Sequence, residues 1–265
     1  MKKLLYAYMG LVYTFLYAPI MVVIVYSFND ARLSKDWKGF TWKWYESLLT
    51  NQPLIDAAIN SLILALCVAS LATVLGTLAA LCLHRYRFPG KTLLLGNIYL
   101  LTLSPDIVMG ISLLILFVAM HIPLGFCSLL IGHVTMAMPF VTITVLARLS
   151  AFDENLLEAA RDLGASELKA LLHVLLPLTL PGIAAGWLLS FTLSMDDVII
   201  SVFLSGPGFD VLPLQMYSLV LRSRPSVNAL SAVMFCMTLA LIVLSQFFAN
   251  PRRKTATVQT PDAKS

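Results

Sequence analysis

AFDENLLEAARDLGASELKALLHVLLPLTLPGIAAGWLL, residues 151–189, is the stretch that decides how the rest of this chain reads. Its first half carries Asp153, Glu154, Glu158, Arg161, Asp162, Glu167 and Lys169; its second half is almost wholly apolar. A bilayer core about 30 Å thick needs roughly 20 apolar residues to be crossed as a helix. Residues 152–173 hold too many charges for that, so they sit in water or against another protein, between two apolar runs of membrane length.

Composition sets the class around this segment. With 59% hydrophobic and 12% charged residues and a mean hydropathy of +0.85, a soluble domain is excluded. Apolar runs at 7–28, 57–83, 93–120, 124–147, 182–204 and 227–249 predict six transmembrane helices. Irregular backbone facing lipid would leave polar groups unpaired, so the expected fold is an all-α polytopic membrane protein over residues 1–250. The polar tail, 251–265, is expected to be disordered. The apolar run from residue 4 to 28 is too long for a signal peptide and no A-x-A site follows it, which predicts a retained first helix.

Lys and Arg in the connections predict the orientation. With the N-terminus inside, Lys2, Lys3, Arg85, Arg87, Lys91, Arg148, Arg161, Lys169, Arg252, Arg253, Lys254 and Lys264 are cytoplasmic. Arg32, Lys35, Lys38, Lys43, Arg222 and Arg224 are outside. This bias favours both termini in the cytoplasm, and it accounts for the net charge of +4 without any nucleic-acid partner.

Cys67, Cys82, Cys127 and Cys236 lie in or beside apolar runs without a C-x-x-C pair, which reads as buried small hydrophobes. His84, His121, His133 and His173 are scattered, with no His and carboxylate group at metal-ligand spacing. Neither catalytic residues nor metal ligands are expected. The outer loop 29–56 holds Trp37, Phe40, Trp42, Trp44 and Tyr45, suited to an interfacial helix. A second outer segment, 205–226, opens on a Gly-Pro-Gly turn, and both loops could meet an extracytoplasmic partner.

Within the polar segment, Leu156, Leu157, Ala160 and Leu163, then Leu168, Leu171, Leu172 and Leu175, recur at helical spacing. Two short amphipathic helices are predicted, divided by Gly164, with Ser166 capping the second and Pro177 and Pro181 marking the start of the fifth span. An ordinary elbow resting on the membrane would explain that periodicity. It would not explain the full spacing Glu158-Ala159-Ala160, Gly164, Val174-x-Leu176-Pro177.

That spacing resembles the EAA loop of permease subunits of bacterial ABC importers. By this resemblance the fold is that of a type I ABC importer permease, and the loop, residues 152–177, couples to a separate ATPase through Glu158, Ala159, Ala160 and Gly164. Tyr86-Arg87-Phe88, residues 104–109, 158–167 and 190–198 look like the matching stretches of permeases from spermidine and putrescine importers. The resemblance implies a second permease, an ATPase dimer that binds ATP and Mg, a periplasmic substrate-binding protein, and a bacterial inner membrane location. The chain has no G-x-x-x-x-G-K-S/T pattern and so cannot itself supply ATP chemistry; no cofactor is expected in it.

Substrate chemistry can be argued separately from Asp106, Asp196 and Asp197, the ionisable groups inside the predicted spans. An Asp near a helix centre costs about 2.5 to 3.5 kcal/mol on the insertion scale. Each carboxylate is therefore protonated, hydrated, paired with another subunit, bonded to a neutral group such as His133, or matched to a cationic substrate. On a continuous helix, Gly186, Ser190, Ser194, Asp197, Ser201 and Ser205 form one small, polar stripe, with Asp196 turned about 100° away as the weaker pathway candidate. Tyr99, Thr102, Asp106 and Gly110 make a similar face on the third span. Small residues alone would also suit helix packing.

At 1.5 Å per residue, Asp106 and Asp197 come about 20 and 22 Å from the inner edge, which predicts a shared layer. Such a layer suits an extended diamine or triamine, with Tyr99 or Trp187 offering cation–π contact and Ser194 a polar one. Two other readings of these residues stay open: a permease for a different small substrate, and a secondary exchanger in which the acids relay protons or cations.

Overall fold

The computed structural model describes residues 2–31, 36–151, 155–221 and 226–249. Twelve helices run along them: α1 (Lys2–Tyr26), α2 (Lys43–Leu49), α3 (Gln52–Arg85), α4 (Lys91–Leu103), α5 (Asp106–Ala119), α6 (Phe126–Ser150), α7 (Asn155–Asp162), α8 (Glu167–Ala170), α9 (Leu176–Asp196), α10 (Ile199–Leu204), α11 (Leu212–Leu221) and α12 (Ser226–Ala249). Among the described residues the only β feature is an isolated bridge between Asn29 and Phe40.

The centre of the bundle is α6, flanked by α3 and α9. Lipid tails are as apolar as leucine, so helices in a membrane associate through close packing, and small residues let them approach. Val141 of α6 shows this: it is fully buried, with Gly76 of α3 and Gly186 of α9 against its side chain. Leu129, Val145 and Leu149 extend that core along α6, with Leu64 and Val68 of α3 and Ile200 and Leu204 of α10 around them. By contrast, no residue in the apolar window of α1 is buried, and α1 leans on α12.

Among the described residues, four helices are long and apolar enough to cross a bilayer: Lys3–Tyr26, Gln52–Arg85, Phe126–Ser150 and Glu167–Asp196. The expected third span is not straight. It is the pair α4 and α5, bent by 110°. Pro105 has no N–H and disfavours helical backbone in the residue before it; Ser104 accordingly lies at φ −69°, ψ 135°. In α12 the described apolar stretch is Ser226–Ala240.

The expected fifth span also changes. Its helix begins earlier than residue 182 and ends at Asp196, where Asp197 turns extended at ψ 121° before α10 starts. At its inner end, α8 is not a separate short helix. It runs through a π turn, Leu171–Leu175, into α9, with Leu176 N–H bonding back to Leu171 O. Pro177 cannot supply the ordinary bond to the carbonyl four residues back, and the widened turn precedes it.

On the opposite side, α2 occupies the aromatic loop as expected. Phe28 stacks on Phe40 and Tyr45 at 5.2 and 5.1 Å, and Trp44 Nε1 donates to Asn29 O at 2.8 Å. The connection before α11 is tied to α3, where Ser61 Oγ accepts from Leu212 N at 2.7 Å. The charges Arg32, Lys35, Arg222, Arg224, Arg252, Arg253, Lys254 and Lys264, residues 152–154 and the tail 251–265 lie outside the described residues.

Candidate functional site

The two broken spans meet at one cavity of about 450 Å³, lined by Asp106, Met136, Phe140, Leu189, Thr192, Leu193 and the run Asp196–Ile199. Backbone that leaves the helix inside a membrane is tolerated where it lines such a space. All three predicted carboxylates are therefore together, but the expected geometry fails. Asp106 lies beyond a 110° bend and Asp197 beyond the end of α9, so straight-helix depths do not apply. The supposed stripe from Gly186 to Ser205 is likewise interrupted at Asp197.

The acids differ in what satisfies them. Asp197 is buried, and its carboxylate accepts from Ser201 N at 2.9 Å and Ile200 N at 3.4 Å. It thereby caps the first turn of α10, a local bond that competes with continuing α9. Its Oδ2 also lies 3.5 Å from Nε2 of the fully buried His133. His133 was one of the partners open to these acids in the sequence.

Asp106 and Asp196 are exposed to the cavity and have no ion-pair partner among the described residues. Asp106 stands in the first turn of α5, where the positive end of the helix favours an anion. Asp196 is the last residue of α9, where that dipole opposes an anion. Of the three, Asp196 gains most from a cation, the reverse of its ranking on a continuous helix.

Ser194 is buried and bonds His133 Nδ1 at 2.9 Å. Trp187 stacks on Phe191 at 5.6 Å with Nε1 3.5 Å from Ser70 Oγ, and Tyr99 is exposed on α4. Neither aromatic lines the cavity. Sequence reasoning missed Met136, Phe140 and Thr192 as lining residues. The available signal was Pro105, which a straight third span could not contain without a kink.

In the polar segment between α6 and α9, Gly164 adopts φ +84°. Gly164 N donates to Arg161 O at 2.8 Å and Ala165 N to Ala160 O at 3.0 Å. These paired bonds form a Schellman turn that ends α7, a conformation glycine takes without a Cβ penalty. Ser166 Oγ accepts from Lys169 N as the cap of α8. Leu157 is buried, whereas Leu163 and Leu168 are 90% and 63% exposed. Glu158 and Ala159 are also exposed. Glu158 borders a cavity of about 350 Å³ with Arg85, Arg161 and Glu167; Glu167 Oε1 pairs with Arg85 at 2.8 Å and Arg161 at 3.2 Å.

Residues 72–250 match the family described as binding-protein-dependent transport system inner membrane component. The chain is 51% identical to the spermidine/putrescine transport system permease protein PotC of Haemophilus influenzae, over 92% of this chain and 95% of that protein. It is 39% identical to the putrescine transport system permease protein PotI of Escherichia coli, over 83% and 82%. A crystal structure of a bacterial alginate ABC transporter with its periplasmic protein superposes with a TM-score of 0.70 at 18% identity, covering 93% of this chain and 92% of that one. That likeness speaks for the fold alone. The all-helical bundle with its broken spans, and a match over most of the length, make this chain a member of the binding-protein-dependent transport system inner membrane components, the permease family of ABC importers.

Proposed function

We propose that this chain is a permease subunit of an ATP-driven importer of polyamines, spermidine or putrescine, and that the cavity between α5 and α9 is its share of the substrate path. The observation that carries the reading is the pair Asp106 and Asp196, two carboxylates open to one cavity without a cationic partner among the described residues. A diamine or triamine supplies cations at intervals along an apolar chain, and Met136, Phe140 and Leu193 offer that chain apolar walls. Relatives named for spermidine/putrescine and putrescine transport support the same substrate class. A site in a pathway must also release what it binds. Two carboxylates in a cleft open to water meet that condition better than a closed cage of acids.

The chain works with a PotB-like second permease, a PotA-like ATPase dimer and a PotD-like periplasmic binding protein, and lies in the inner membrane with both termini cytoplasmic. ATP and Mg belong to the ATPase. Closure of the ATPases moves α7 through Glu158, Ala159, Ala160 and the Gly164 turn. The bundle then opens outward to take substrate from the binding protein, and hydrolysis resets it. Tyr99, Trp187, Ser194 and Asp197 remain secondary members of the proposed path; Asp197 and Ser194 act in it through their bonds to His133.

The test is ATP-dependent uptake of labelled spermidine and putrescine into proteoliposomes holding the complete complex. A charge-assisted bond contributes about 1.5–3 kcal/mol, so Asp106→Asn or Asp196→Asn should each lower uptake efficiency about 10- to 100-fold. Full retention in both would remove the cavity from the path. Uptake driven by a proton gradient alone, without ATPase subunits, would replace the importer with an exchanger.

A further inference from the structure

His133 is the largest fully buried polar side chain of the central helix α6, and its ring bridges the α9–α10 break from both sides. Nδ1 meets Ser194 Oγ of α9 at 2.9 Å. Nε2 meets Ser201 Oγ of α10 at 3.2 Å and Asp197 Oδ2 at the break itself. Ser201 Oγ donates its proton to Asp197 O at 3.1 Å, so Nε2–H is the donor towards both Ser201 Oγ and the carboxylate. Ser194 Oγ is then left to Nδ1. One ring thus links the last turn of α9, the break and the first turn of α10.

What this holds in place extends to the other acid. Ile200 and Leu204 of α10 lie directly over Gly132, where any Cβ would meet the Leu204 side chain, so α10 is seated on α6 beside His133. On its far side, Phe203 packs on Gly110 of α5, and α5 begins with Asp106. Asp196 is the last residue of α9. The chain of contacts runs from His133 through Asp197 and α10 to α5, with one cavity carboxylate at each end.

We propose that His133 is a positioning residue that sets the separation of the Asp106 and Asp196 carboxylates and, through it, the preference for amines of one length over another. The proposal rests on the polyamine reading of the cavity. His133 does not line that cavity; it acts through Asp197 and α10. An extended diamine and a triamine differ in the distance between their cations, so a change in carboxylate spacing alters their uptake unequally. Loss of packing alone would lower both together.

The experiment measures KM and maximal rate for spermidine and putrescine uptake in proteoliposomes of the complete complex, for wild type, His133→Leu, His133→Gln, Ser201→Ala, Asp106→Asn and Asp196→Asn. A displacement of order 1 Å is costly, so His133→Leu should raise KM about tenfold for the preferred amine. It should change the ratio of the two kcat/KM values about fivefold while the maximal rate stays within about twofold. His133→Gln, whose amide can donate to Asp197, should recover part of the ratio. Ser201→Ala, which removes a single contact, should shift it in the same direction by less, and it carries the test if His133→Leu does not assemble.

Equal loss for both amines, or an unchanged ratio in His133→Leu and Ser201→Ala, would overturn the positioning role. Asp106→Asn and Asp196→Asn separate the two levels. If both leave uptake intact, the cavity falls out of the path and the positioning proposal with it; if they cripple uptake while the ratio stays fixed in the other variants, only His133's role falls.

Discussion

At Ser104 and Pro105 the third span breaks because a ring removes a backbone donor; at Asp197 the fifth span breaks because a carboxylate draws two backbone donors of the next helix to itself. The first cause is covalent and sits in the chain, and the packing of α5 against α10 then holds the corner. The second is a side-chain cap whose carboxylate also lies 3.5 Å from His133, on another helix. Both bring backbone out of the helix at the same cavity, yet one is a fixed corner and the other a joint held by side chains.

The sharpest way to break this comparison is Asp197→Ala. It removes the α10 cap and leaves His133 without its carboxylate, an expected loss of about 3 kcal/mol or more. The check is thermal unfolding of the purified complex. Asp197→Asn keeps a capping oxygen and should cost only about 1 kcal/mol. Equal effects of the two would mean that the carboxylate charge, and not the cap, holds the joint.

A smaller effect is expected at Gly164, the third place where the chain turns. A side chain there meets no steric neighbour, so Gly164→Leu should cost about 1–2 kcal/mol through its left-handed backbone alone. Substrate-stimulated ATPase of the complex should drop in Gly164→Leu and largely persist in Gly164→Asn, since asparagine tolerates that conformation. Unchanged stimulation in Gly164→Leu would remove the coupling role of the turn.

For the fixed corner, Pro105→Ala should leave the bend in place, because α5 is packed against α10; the stability change should be within about 1 kcal/mol. Spin-label distances between α4 and α5 would report it, and straightening would show that proline alone makes the corner. The smallest effect should come from Glu167→Gln. Glu167 pairs with Arg85 and Arg161, but its side chain is 71% exposed, and such pairs contribute about 0–1 kcal/mol. A shift of several degrees in unfolding temperature would mark these pairs as a structural clamp instead.

The helical class and the Gly164 turn were legible in the chain because their causes are local. Apolar runs, the Gly164 position, the Ser166 cap and the leucine periodicity each act over a few residues. The cavity acids were identifiable because charges in apolar runs are costly. Their ranking was not, because it depends on where α9 ends: counting along an unbroken helix put Asp197 on the path and turned Asp196 away, whereas the break buries the first and opens the second. Pro105 offered a local signal for the third-span bend that hydropathy did not register.

From residue type and order alone follow a membrane bundle, a charged segment between two apolar runs, and three carboxylates in apolar runs needing compensation. Hydrophobicity, helical period and the cost of burying charge do not depend on what lies elsewhere in the chain. Which carboxylate is satisfied internally and which is left for a cation was decided only in three dimensions. His133 reaches Asp197 across the α6–α10 contact, and hydrogen bonds are short and directional, so their partners are chosen by how the helices pack.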